Sequence, residues 1–421
     1  MAPTNSAQAL DGEAIVARLK ALAAFTDVPG EMTRLSLSPA HRKAAGQVAE
    51  WFRAAGLEQI HMDGTGSIVG RYAADRPDAK TLIIGSHIDT VRNAGIYDGN
   101  LGVLVGIAAV EQLHREGRRL PFAVEVVAFA DEEGVRFPST LSSSRALAGT
   151  FDPACLDDVD ADGMSRRVAL RAFGAPVETI SACARDPAGT LGYVEVHIEQ
   201  GPVLDALGLP LGIVTAIAGA TRGTVRLEGQ AAHSGTMPMP MRQDALTAAA
   251  EIILAVERRG SADVAPASLV ATVGTLAISG GAVNVVPGDV QFSIDVRSSN
   301  DLVRKAAVVD IEREIEEISA RRGVTPHLAW GHDAPAAPCN EDLRARLAAA
   351  VDRVGVPAHH LPSGAGHDAM VFRGVLPMTM LFVRSQNGSH NPREYASPQD
   401  IGLAAKALHG FLVDLAGSNS L

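Results

Sequence analysis

The sequence predicts an α/β protein carrying a second, inserted domain, and three observations support that reading. The runs Thr81-Leu82-Ile83-Ile84 and Phe122 to Ala130 are nearly continuously apolar, as expected for strands of a sheet covered on both faces. A long apolar pattern from Leu101 to Leu113 follows the first of them with helical periodicity. From Gly223 to Trp330 the predicted order is strand, helix, strand, strand, helix, strand, the ferredoxin-like signature, closing within ~120 residues.

In chain order, residues 11–25 and 40–55 predict helices, the second through Ala44, Ala45, Val48, Trp51 and Phe52, with Gly56 as its cap. Strands are expected at Ile60–Met62, Ser67–Tyr72 and Thr81–Ser86. A helix over Leu101–Glu116 then stops at Gly117. The strand Phe122–Ala130 is interrupted in polarity only by Glu125. Residues 152–190 read as helix and loop, and Tyr193–Gln200 as a strand on which His197 and Glu199 share a face. The inserted unit comprises Gly223–Glu228, helix Asp244–Arg259, strands Ser268–Ile278 and Val290–Ser298, helix Asp301–Arg322 and strand Pro326–Trp330. Helix Glu341–Arg353, strand Pro377–Val383 and helix Ile401–Leu415 complete the chain. The expected division is residues 1–213 and 332–421 for a split catalytic domain, with 214–331 inserted.

Composition narrows the function. The chain has 421 residues and a formal charge of −11, with no basic block, so nucleic acid is not an expected partner. The three cysteines, Cys155, Cys183 and Cys339, are odd in number and far apart, which argues for a reducing cytoplasm over a disulfide framework. Residues Met1 to Gln8 lack the basic and apolar regions of a signal peptide. No apolar run approaches the roughly 20 residues a membrane span needs.

The chemistry gathers at predicted strand ends, where open α/β sheets bind ligands. The loop Gly85 to Asn100 carries His87, Asp89 and Asp98. Asp131-Glu132-Glu133-Gly134 ends the next strand, His197 another, and His390 lies in the loop after the strand Pro377–Val383. Each alone is bland: a loop histidine is commonly an ordinary polar residue, and paired glutamates commonly form a solvated face. Converging on one sheet edge, they call for cations. Two divalent ions ~3.5–4 Å apart need a carboxylate bridge plus terminal imidazole and carboxylate ligands, and a further carboxylate can serve as general base.

The motifs Ser86-His87-Ile88-Asp89-Thr90, Tyr97-Asp98-Gly99, Asp131 to Pro138, His197-Ile198-Glu199-Gln200-Gly201, Ser363 to Asp368 and Ser389-His390-Asn391 stand in the order found in one family. The chain resembles the amidohydrolase branch of the binuclear-zinc aminopeptidase superfamily: allantoate amidohydrolases, N-carbamoyl-L-amino acid hydrolases and β-ureidopropionases. The resemblance covers nearly the whole chain. It implies a zinc-aminopeptidase-like catalytic domain with a mixed central sheet and a ferredoxin-like lid domain through which homodimers form. It also implies two divalent ions, Zn²⁺ or Mn²⁺, with Asp98 bridging, His87 and His197 completing one site, and Glu133 and His390 the other.

Glu132 would be the general base, and Asp89 would orient His87. Gln200, Asn284, Arg297 and His367 would contact substrate, and His233 would stabilise the tetrahedral intermediate from the neighbouring subunit. In the peptidase branches the position of His197 is typically acidic, so an imidazole points to ureido cleavage. Arg297 has its own rationale: Val290, Phe292, Ile294 and Val296 form one apolar face, so Arg297 lies on the other with Asp295 and Ser293. The expected substrate is a ureido carboxylate. Glu31–Leu35 and Asp131–Pro138 look most like allantoate amidohydrolases, although closely similar segments occur in the carbamoyl-amino-acid enzymes, so an N-carbamoyl-L-amino acid hydrolase or β-ureidopropionase is the alternative. Gln386–His390 is one residue shorter than the family loop. The competing readings are an aminopeptidase or dipeptidase on this scaffold, and a non-catalytic binding protein of the same fold.

Overall fold

The computed structural model describes residues 9–262 and 268–417; Met1 to Gln8, read above for targeting features, lie outside them. The chain forms two compact units, one of residues 1–215, 339–361 and 367–421, the other of 216–338 and 362–366.

The first unit opens with helices α1 (Gly12–Ala23) and α2 (Pro39–Ala54). Ser38 caps α2 by accepting the His41 N–H, and Pro39 supplies a preset first turn. Strands β1 (Glu58–Met62), β2 (Ile68–Tyr72) and β3 (Thr81–His87) lead to α3 (Asn100–Arg115) and β4 (Ala123–Phe129). α4 (Ser142–Leu147), α5 (Arg166–Phe173) and three short 3₁₀ turns occupy the irregular segment before β5 (Thr190–Ile198). After α6 (Val203–Leu207), β6 (Leu211–Ile217) runs on into the second unit. β6 is not among the strands expected from the sequence, because its apolar run carries no strict alternation.

The central sheet runs β1-β2-β4-β3-β5 and continues through Met378–Val383 to β6. β3 is parallel to β4 and β5, whereas β1, β2 and β6 pair antiparallel, so the sheet is mixed. Every residue of β3 and β4 is buried, as their unbroken apolar runs require. The exception, Glu125, is paired with Arg185 at 2.8 Å and Arg71 at 3.3 Å. α3 is buried from Asn100 to Leu113, and its Leu104 and Ile107 share a core with Ile84, Val126, Leu408 and Phe411.

The second unit contains β7 (Gly219–Glu228), β8 (Ala232–His233), α7 (Ala245–Ala262), β9 (Val270–Thr272), β10 (Leu276–Ser279), β11 (Val285–Val286), β12 (Asp289–Ser298), α8 (Asp301–Arg322) and β13 (Thr325–Ala334). Its antiparallel sheet has the order β10-β12-β7-β13, the βαββαβ arrangement. Val225, Leu227, Phe292 and Ile294 form one core with Ile252 of α7 and Ile311 and Ile315 of α8. The strand expected at Ser268–Ile278 is broken: β9 and β10 each pair with β12, and the Thr275 N–H bonds the Ser293 Oγ at 3.1 Å where the ladder is interrupted. β13 runs to Ala334, four residues beyond the expected end, with a bulge between Trp330 and His332.

β14 (Ala337–Pro338), α9 (Glu341–Arg353), β15 (His360–Ser363), β16 (Met378–Val383) and α10 (Pro398–Ala416) complete the chain; β16 lies parallel to β5. Among the described residues, no helix is long and apolar enough to cross a membrane. The three cysteines are buried and unpaired, and burial pushes the Cys155 and Cys183 thiols up to about 11 and Cys339 to about 12.

Candidate metal centre

Four parallel strands of the first unit, β3, β4, β5 and β16, end on one edge of the central sheet, and their ends and following loops deliver the predicted cluster. His87 is the last residue of β3, Glu132 and Glu133 follow β4, His197 is the penultimate residue of β5, and His390 sits in the loop after β16. Asp98 lies at the middle. Its Oδ1 is 3.1 Å from His197 Nε2 and 3.7 Å from His87 Nε2. Its Oδ2 is 3.3 Å from His390 Nε2, which is itself 3.5 Å from Glu133 Oε2. The five residues therefore form two donor groups that share Asp98, one per carboxylate oxygen.

These residues fit a pair of divalent cations. Nδ1 of His87 meets the Asp89 carbonyl at 3.0 Å, and Nδ1 of His197 meets the Ile198 carbonyl at 2.9 Å. Those bonds orient the two rings so that each Nε2 faces an oxygen of Asp98, an approach that needs a shared proton or a cation between them. Donors sharing a tetrahedral zinc, with bonds of ~2.0–2.1 Å, stand roughly 3.3 Å apart, in the range seen here. Glu133 Oε1 is also buried without a hydrogen-bond partner.

Local structure explains how the loop is held. Tyr97 and Asp98 N–H groups donate to Glu394 Oε1 at 3.0 and 3.1 Å, and Ser389 Oγ donates to Asp98 Oδ2 and lies within 2.5 Å of Glu394 Oε2. Arg34, fully buried, donates to the Ile88 carbonyl at 2.7 Å and to the Asn100 side chain, tying the Glu31–Leu35 segment beneath the loop. Gly99 has φ +65, and a Cβ there would stand 2.4 Å from the His87 ring. Gly99→Ala should therefore displace His87 and weaken metal retention at least tenfold, as loss of support around a ligand does. Metal content after dialysis against graded chelator measures this; wild-type retention would contradict it.

Asp89 serves more than His87. Its Oδ1 is 3.5 Å from His87 Nδ1, and its carboxylate accepts the Glu132 N–H at 3.1 Å and the Glu133 N–H at 3.3 Å. It thereby fixes the loop bearing both glutamates. The preceding Asp131 points away, bound to Ser142 at 2.6 Å and ion-paired with buried Arg166. Burial pushes the Glu132 carboxyl well above the usual range; His87 opposes this, while Glu133, Asp368 and Asp89 add to it. Glu133 is pushed up to about 7 by burial and by Asp98, against His87 and His390. Asp98 is opposite: burial disfavours its charge, but hydrogen bonds from His197, His390 and His87 hold it well below the usual range.

The loop Gln386–Tyr395 is tight, closed by a bridge between its end residues, with left-handed backbone at Asn387, Gly388 and His390. Gln200 is also left-handed, φ 63, uncommon outside glycine and a form of strain found at functional sites. Its Nε2 donates to Asp98 Oδ2 at 2.9 Å, and its Oε1 is buried without a partner. His367 is buried against His197, ring centroids 4.5 Å apart, and burial together with the His197 charge lowers its pKa well below the usual value. Glu199, expected to share the His197 face, instead caps α6 by accepting the Val203 and Leu204 N–H groups at 2.7 and 2.8 Å.

His233, Asn284 and Arg297 belong to the second unit. His233 pairs with Val285 in the β8–β11 ribbon, and the Ser234 N–H bonds the Asn284 carbonyl at 2.9 Å, so His233 and Asn284 adjoin. Arg297 lies on β12, ion-paired with Asp295.

Sequence reasoning misses Glu394 and Glu195, and gives no role to Ser389 and Asp368, which stand within its motifs. Glu195 shares a strand face with His197, a signal that could have found it. It accepts from Tyr193 OH at 3.2 Å and the Ala369 N–H at 2.9 Å. Asp368, buried nearby, is raised well above the usual range by burial and then by Glu195.

Residues 83–414 match the model of peptidase family M20/M25/M40. A soybean (Glycine max) protein named allantoate deiminase 1 is 38% identical over 435 residues, covering 95% of this chain and 89% of the relative. An N-carbamoyl-L-amino acid amidohydrolase of Geobacillus stearothermophilus is 37% identical over 409 residues, covering 97% and 99%. Among solved structures, a hydantoinase/carbamoylase family amidase from Burkholderia multivorans superposes with TM-score 0.90 at 31% identity, covering 97% and 98%.

Proposed function

As this chain belongs to peptidase family M20/M25/M40, we propose that it is a binuclear metal-dependent amidohydrolase that cleaves the ureido C–N bond of a carboxylate-bearing substrate. It is a hydrolase acting on carbon–nitrogen bonds other than peptide bonds. The observation that carries the reading is Asp98, with one oxygen facing His87 and His197 and the other facing His390 beside Glu133. An imidazole at position 197, in place of a carboxylate, supports the ureido branch over the peptidases.

His87, His197, Asp98, Glu133 and His390 would hold the ions, zinc or manganese. When bound, such ions polarise a carbonyl and lower the pKa of water to about 7. Glu132, its carboxyl raised by burial, takes the proton from the attacking water and passes it to the leaving nitrogen. His233 donates to the oxygen on which charge develops. Arg297 grips the substrate carboxylate, and Gln200, Asn284 and His367 contact the remainder. The carbamate released decays to carbon dioxide and ammonia.

We assign allantoate first, on the segments Glu31–Leu35 and Asp131–Pro138. N-carbamoyl-L-amino acids are the second reading, favoured by the Geobacillus relative. Ammonia release from allantoate, N-carbamoyl-L-amino acids and N-carbamoyl-β-alanine, with free amino acids measured from dipeptides alongside, tests the class after loading with Mn²⁺ or Zn²⁺. Turnover of a ureido carboxylate is expected. Cleavage of dipeptides alone would make the chain a peptidase, and no turnover at all would make it a binding protein.

Buried, unpaired cysteines support a reducing cytoplasmic location. A homodimer through the second unit is supported by β10, an edge strand exposed throughout, with Leu276 at 48% and Ile278 at 43%. Ile278→Lys should shift the mass measured by light scattering from dimer to monomer. A dimer retained at micromolar concentration would place the interface elsewhere.

A further inference from the structure

Arg297 is held by its neighbours in a way that determines what it can offer a ligand. Its Nε and Nη2 donate to the two oxygens of Asp295 at 2.9 and 3.0 Å, and its Nη1 donates to the Gly364 carbonyl at 2.9 Å. A guanidinium carries five N–H groups. Three are committed, leaving one on each of Nη1 and Nη2. The side-on edge is taken by Asp295, so what remains for a ligand carboxylate is offered from the Nη end.

Asp295 is shared. Arg222 stands opposite it on β7, and Arg222 Nε donates to Asp295 Oδ2 at 2.9 Å. Asp295 and Arg297 alternate with buried Ile294 and Val296, so they occupy the sheet face turned from the helix-packed core. There Arg222, Asp295, Arg297 and Gly364 line one cavity of about 820 Å³. Two guanidinium groups and one carboxylate leave the trio with a single net positive charge, which suits one carboxylate and disfavours a neutral amide.

We propose that Asp295 is a positioning residue for substrate recognition, locking the Arg297 guanidinium side-on so that only its Nη end meets the substrate carboxylate. The inference rests on Arg297 as the carboxylate contact. Removing Asp295 frees Arg297 to rotate, and releases Arg222 as a competing cation. Both changes weaken productive binding without touching the bond-breaking groups.

The test is steady-state kinetics of the metal-loaded enzyme on the best ureido carboxylate of the panel and on its primary amide. Wild type is compared with Asp295→Asn, Asp295→Glu and Arg297→Ala. Asp295→Asn should raise KM for the acid about tenfold, the loss of one charge-assisted hydrogen bond, and hold kcat within about threefold. The preference for acid over amide should fall by a similar factor. Asp295→Glu keeps the charge but moves the carboxylate by one methylene, and should give the same split even if the Asn variant does not fold. Wild-type KM and preference in both Asp295 variants, with both lost in Arg297→Ala, would overturn the role of Asp295 and leave Arg297 standing. Reduced kcat at unchanged KM would overturn it equally. Wild-type behaviour of Arg297→Ala would instead remove the reading on which the inference rests.

Discussion

Glu132→Gln should keep its metal and its fold while turnover falls by roughly 10²–10⁴, the contribution of a positioned general base. The substitution preserves shape and the backbone N–H that Asp89 accepts, and removes the group that takes the proton. Glu132 is not needed to complete either donor group, so metal content should stay at the wild-type level. Because one proton transfer is lost, KM should change little beside kcat. Turnover within a few fold of wild type would take Glu132 out of the base role. Loss of metal would instead make it a ligand.

Asp98→Asn should be more damaging still, because a single side chain serves both donor groups. Neutralising it removes the carboxylate of the His87–Asp98–His197 group and one of the two in the Asp98–Glu133–His390 group. It also leaves three imidazoles without the anion they surround. The expected result is loss of both ions together and turnover below detection, with the fold retained by the buried sheet and α3 core. Metal analysis of the purified variant checks it. Retention of one ion at full occupancy would show that the two groups do not depend on a common bridge.

Much of this centre is legible in the sequence because strands β3, β4 and β5 are long apolar runs, and a polar residue at the end of such a run has few reasons to be there. His87, Glu132, Glu133 and His197 are all of this type. Asp98 is legible through its position just before the unbroken apolar helix α3. The parts played by Glu394 and Ser389 are not. Both residues lie in a loop without periodicity, and their role arises only when that loop meets the backbone of Tyr97 and Asp98, nearly 300 positions earlier.

Glu195 fell from view for the opposite reason. It sits inside a strand whose apolar texture hides one buried carboxylate, although its alternation with Tyr193 and His197 places all three on one face. Glu199 shows how alternation misleads past a strand's end, where its carboxylate caps the next helix. The interrupted strand at Val273–Thr275 has a similar cause. Sequence alone cannot tell one long strand from two short ones whose register is reset by a side-chain bond to Ser293.

Anomalous scattering from crystals grown with Mn²⁺ or Zn²⁺ tests most directly whether Asp98 bridges two ions. Two peaks are expected about 3.5–4 Å apart, one beside His87 and His197 and one beside Glu133 and His390, with Asp98 between them. A single peak, or two that do not share Asp98, would contradict the bridge.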